Sequence, residues 1–308
     1  MDSETRADVA EVKAAKTLWR RVGEFPLVAL VLALIALLAP MAALLALLTQ
    51  APLDELPKWG AELLVAIVAT LAAVVALKLL VARLGEQPRD DLPFDARAND
   101  GWRGALLATL LMSAIVGLVA ALGGYRIAGW GGSTSWPMVL FSAGLQAAFV
   151  EEILLRGIVF RFLEEFGGSW FALALSSALF GFAHAANPNA TVFTSIAIAV
   201  EAGLLLGGAY MLTRNLWLAV GVHFGWNVTQ GYLWDVPVSG FAVDGMVESR
   251  STGSDLISGG AFGVEASLVA LVLATALGAW FVMQAARRGN VVRPWWVRRR
   301  LAKEALAI

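Results

Sequence analysis

The chain has 308 residues, 59% of them hydrophobic and 15% charged, with a mean hydropathy of +0.72, so most of it has lipid rather than water as its solvent. A net charge of −1 excludes nucleic-acid binding through a broadly basic surface. The absence of cysteine excludes disulfides, thiol catalysis and thiolate-bound metal.

The opening stretch, residues 1–24, carries five basic and five acidic residues and is too polar for the apolar region of a signal peptide, so it is expected to be an uncleaved cytoplasmic arm. Val9, Val12, Leu18 and Trp19 could give it one apolar, membrane-lying face. Eight segments then reach the roughly 20 apolar residues that a helix needs to cross about 30 Å of hydrocarbon. The first three lie within residues 25–122, at Phe25–Leu48, Leu63–Val81 and Gly104–Leu122, and Pro40 is expected to kink the first rather than break it. The Pro- and Asp-rich stretch Glu86–Asp100 reads as a polar loop setting the first two spans apart. Four more follow in residues 136–233: Trp136–Phe162, Trp170–Ala186, Phe193–Leu212 and Leu216–Leu233. The last span, Ala266–Gln284, precedes a basic tail, 285–308. With both termini inside, cytoplasmic segments hold eighteen Lys and Arg residues against three outside, in keeping with the positive-inside rule. Tryptophans 59, 102, 130, 136, 170 and 234 stand near the ends of apolar runs, where the headgroup interface favours them. The expected fold is thus an all-α integral protein of the cell membrane, with about eight spans and a polar cavity between helices.

Charged groups at membrane depth are costly, so they mark function by default. The fourth span reads Phe149-Val-Glu151-Glu152-Ile-Leu-Leu-Arg156. Neighbouring helical residues point about 100° apart, so the two glutamates face different partners. Glu152 and Arg156, at i and i+4, suit an ion pair that fixes one helix face. A purely structural pair explains those two residues but leaves Glu151 unaccounted for, and a carboxylate in a water-poor pocket suits a general base. Both histidines of the chain fall in predicted spans: His184 after Phe180, and His223 sharing a helix face with Asn227. Gly181, Gly221 and Gly225 would let the helix backbones approach closely nearby. Glu201, in the sixth span, could shape the cavity, relay protons, pair with a histidine or be structural.

Three motifs, Glu151-Glu152-xxx-Arg156, Phe180-xxx-His184 and His223-xxx-Asn227, stand in order on successive spans. Together they resemble the CPBP family, the type II CAAX prenyl proteases and bacteriocin-processing or immunity-associated proteins, also called the ABI family. The likeness covers roughly Trp136 to Leu233. It implies peptide-bond hydrolysis by an activated water in a cavity between helices. Transferred position by position, Glu151 is the general base, His184 positions or activates the same water, and His223 and Asn227 stabilise the oxyanion. Glu152 and Arg156 support them. A metal is left open: Glu151, His184 and His223 could hold Zn²⁺ or another divalent cation with water in the fourth position, and a metal-free glutamate mechanism uses the same residues. The implied partners are membrane lipid and a hydrophobic or lipid-modified peptide, with no nucleic acid. Two rival readings are a non-catalytic immunity or scaffold protein of the same fold, and an ion- or proton-coupled transporter. The second would ordinarily show two related halves, which the sequence lacks. There is no His-Glu-xx-His or Gly-x-Ser-x-Gly motif, and no aspartate lies within a predicted span.

Overall fold

A computed structural model describes residues 22–305. The proposed amino-terminal arm, with its apolar face, therefore lies almost wholly outside the described residues.

The chain is a multi-pass integral membrane protein built almost entirely of helices. Helix α1 (Pro26–Leu48) starts on a proline, whose fixed φ suits the first helical turn, and runs on through Pro40. Helices α2 (Lys58–Leu79) and α3 (Asn99–Ala121) follow. Strand β1 (Tyr125–Trp130) leads into α4, one continuous helix over Met138–Gly167. Next come α5 (Ser169–Ala183), α6 (Val192–Thr213) and α7 (Trp217–Val228), then strand β2 (Val247–Ser251), α8 (Leu268–Arg287) and α9 (Trp295–Ala305). Side-chain caps set two of these starts: Thr191 and Thr194 cap α6 reciprocally, and the Ser267 hydroxyl accepts from the backbone N–H of Ala270 at the head of α8.

Among the described residues, seven helices are long and apolar enough to cross a membrane, beside the eight segments read from the sequence. The difference is α7, whose 12 residues continue for only five more in a wide π turn, Thr229–Leu233. That helix falls short of the roughly 20 residues a crossing needs. The antiparallel pairing of β1 with β2, bulged between Ile127 and Gly129, is a small strand ribbon on an otherwise all-α fold.

Small residues set the packing around the site. A Cβ on Gly221 of α7 would stand 1.9 Å from the carbonyl oxygen of Gly101 on α3, and one on Gly225 would stand 2.4 Å from that of Ala105. On α5, a Cβ on Gly181 would meet the Ser195 carbonyl at 2.2 Å. These backbones touch because the side chains are missing, which draws α3 against α7 and α5 against α6. The loop between α2 and α3 is folded in rather than free. Asp91, fully buried, accepts from Arg89 Nε (2.8 Å), Arg161 Nη1 (3.1 Å) and the Tyr210 hydroxyl (3.0 Å), which fastens that loop to α4 and α6.

Candidate active site

Helix α4 widens on both sides of its glutamates. Residues Met138–Gln146 and Ile153–Phe160 form π turns, with a short α-helical stretch, Ala147–Glu152, between them. Such widened turns are rare and recur at functional sites. Here they flank Glu151 and Glu152, which point to different surroundings.

Glu152 is fully buried and tied twice. Its Oε1 accepts from Arg156 Nη1 at 2.9 Å and lies 3.0 Å from His223 Nδ1. Arg156, itself buried, also donates to the Ala202 carbonyl (3.3 Å) and lies over the Phe180 ring at 4.9 Å. A carboxylate at Nδ1 assigns that nitrogen its proton and turns His223 Nε2 toward the other glutamate, 4.0 Å from Glu151 Oε2. Glu151 keeps 37% of its side chain exposed, where Glu152 has none. Adjacent in sequence, the two carboxylates are thus one buried and anchored and one open to solvent beside His223.

His184 sits in the short 3₁₀ turn, His184–Ala186, that ends α5. Its Nδ1 lies 2.8 Å from the Phe180 carbonyl oxygen. A carbonyl can only accept, so Nδ1 carries the hydrogen and Nε2 of the neutral ring is left as an acceptor. Asn227 donates one amide hydrogen to the Ala143 carbonyl at 2.7 Å, which fixes the side chain and leaves its second hydrogen unassigned.

Glu151, His184, His223 and Asn227 line one groove-like cavity of about 1170 Å³, open mouth included, whose walls include Met138, Leu154 and Phe241. Glu201 does not join them. It is buried and lines a second cavity behind the histidines together with Glu265, a carboxylate the sequence reading missed because it stands one residue before the apolar run that begins at Ala266. Burial pushes the Glu265 carboxyl above the usual carboxylate range.

Among the described residues, no three His, Cys, Asp or Glu side chains are placed to share an ion. Glu151, His184 and His223 line the same groove without forming such a group, and with both Nδ1 atoms engaged, Nε2 is the nitrogen each histidine has available there.

The family model of type II CAAX prenyl endopeptidases, described as Rce1-like, matches residues 133–229. That segment runs from just before α4 to the end of α7 and holds all three motifs. It resembles the CPBP family. The curated YdiL of Bacillus subtilis (strain 168), a candidate membrane peptidase by its name, is 27% identical over 126 residues, which are 41% of this chain and 47% of that protein. The match thus spans about half the length of the curated relative. No solved structure matches. The CPBP-like segment ends before β2, so Glu265 and α8 lie outside it, as do α1, α2 and α3.

Proposed function

We propose that the chain is an intramembrane endopeptidase of the CPBP type that hydrolyses a peptide bond with water activated by Glu151. The observation that carries this reading is the separation of the two glutamates. Glu152 is held by Arg156 and His223, while Glu151 makes no hydrogen bond among the described residues and stands open to the groove, 4.0 Å from His223 Nε2 and sharing its walls with His184 and Asn227.

Each role follows from an available atom. Glu151 takes the first proton from the water, and His184 Nε2 accepts a hydrogen bond from the second hydrogen, which fixes the direction of attack. The proton on Glu151 then passes to the nitrogen of the breaking C–N bond. The oxygen that becomes anionic meets the second amide hydrogen of Asn227. His223 adds a donor from Nε2 only as the imidazolium, a form favoured by a glutamate at each of its ring nitrogens. Oxyanion donors of this kind commonly contribute about 10²–10³ in rate. No step uses a metal.

Apolar walls and a membrane setting select a hydrophobic or lipid-modified peptide as the substrate class. The test is reconstitution in liposomes with a membrane-tethered reporter peptide. The wild type should release the product, and His184→Ala should reduce release at least about a hundredfold while keeping its thermal transition. Undiminished cleavage by a folded His184→Ala protein would refute the role given to that residue.

A further inference from the structure

Beside the groove lies a second, much tighter cavity, about 450 Å³ with its open space included. It shares Phe180, His184, His223, Asn227 and Ser239 with the groove, so the two are neighbours at the residues that would surround the reacting bond. Its deeper wall carries both Glu201 and Glu265 among apolar neighbours such as Leu205, Leu206 and Val222.

The two carboxylates are unequally satisfied. Glu265 accepts from the Ser239 backbone N–H and, at 3.5 Å, from Trp226 Nε1. Glu201 is 2% exposed, and its Oε2 has no hydrogen-bond partner among the described residues. Among the described residues, no lysine or arginine lines this cavity, and the nearby Arg156 is already engaged with Glu152. A buried acceptor pair with no cation of its own is complementary to one that arrives with a ligand.

We propose that this cavity is a specificity subsite that receives a lysine side chain of the peptide substrate, its ammonium held between Glu201 and Glu265. The apolar walls suit the methylene stem, and a compact ammonium offers three donors to the two carboxylates at the deep end. The inference rests on reading the groove as a peptide-hydrolysing site, and binding rather than cleavage tests it, so that the two fail separately.

The Glu151→Gln protein, in an uncharged detergent, is titrated with a fluorescein-labelled, palmitoylated alanine–leucine peptide carrying one central lysine, and with its norleucine counterpart. The lysine peptide should bind at least about tenfold more tightly. Adding Glu201→Gln should collapse that ratio, as should adding Glu265→Gln, while binding of the norleucine peptide reports that the groove is intact. Where the second change disturbs the loop that carries Ser239, the Glu201→Gln arm decides alone. Equal binding of the two peptides, or a lysine preference that survives Glu201→Gln, overturns the subsite. A lysine preference without any cleavage by the wild type overturns only the protease reading.

Discussion

Removing Arg156 puts the anchoring of the site under the sharpest strain. Its side chain is 1% exposed and that of Glu152 is fully buried, with Nη1 and Oε1 2.9 Å apart. Breaking a buried pair from one side leaves an uncompensated charge and costs about 3–5 kcal/mol. Arg156→Ala also forfeits the bond to the Ala202 carbonyl and the contact with the Phe180 ring. At roughly 2–4 °C per kcal/mol for a domain of this order of size, the thermal midpoint should fall by roughly 6–20 °C. The assay is thermal unfolding in detergent followed by intrinsic fluorescence, for which the twelve tryptophans are ample reporters. The double variant Glu152→Gln/Arg156→Met removes both charges and should be more stable than Arg156→Ala alone, a non-additivity read from the mutant cycle. A midpoint within about 1 °C of wild type for Arg156→Ala would refute the reasoning, because no buried charge would then have been stranded.

Other consequences are as direct. Gly221→Ala places a Cβ on the Gly101 carbonyl, so α3 and α7 must separate, and both the thermal midpoint and cleavage should fall; an unchanged midpoint would mean that the close approach does not bear on stability. Asn227→Ala should lower kcat by about 10²–10³ with little change in KM, as expected of a donor used in the transition state, and a pure KM effect would assign Asn227 to substrate binding instead. Treatment with a chelator followed by dialysis should leave cleavage intact, since Glu151, His184 and His223 form no group placed to share an ion; loss of activity with recovery on adding Zn²⁺ would reverse that conclusion. Asp95 is held at about 2 by hydrogen bonds from the Arg97 side chain and backbone, so its contribution at the start of α3 is present above the unfolded carboxylate value and is lost as pH falls toward 2. The protection of the Arg97 amide, its exchange measured relative to the intrinsic rate at each pH, should therefore fall between about pH 4 and 2 and be flat above it.

The polar residues of α4, α5 and α7 were legible in the sequence because lipid makes them conspicuous. A charge inside an apolar run is costly in hydrocarbon and so draws the eye, and the i, i+4 spacing of Glu152 and Arg156 suited the pairing that the structure shows. Gly181, Gly221 and Gly225 likewise announced close backbone contact. Three features were less visible. The shortness of α7 is hidden because residues 216–233 are apolar enough overall to read as one span, and the π turn that ends the helix leaves no mark in composition. His223, which joins Arg156 as a partner of Glu152, makes that contact across 71 positions of chain, which no local period records. Asp91 and Glu265 sit in connections, where a carboxylate ordinarily means solvent. Only the fold shows that one is clasped by Arg161 and Tyr210 and that the other closes a cavity.

The central claim is that Glu151, not its anchored neighbour, is the base. Glu151→Gln keeps the shape of the side chain and removes its basicity. Measured in liposomes on a membrane-tethered peptide, its cleavage rate should fall at least about 10²–10⁴-fold below wild type with an unchanged thermal midpoint. A folded Glu151→Gln protein that cleaves at the wild-type rate would contradict the account.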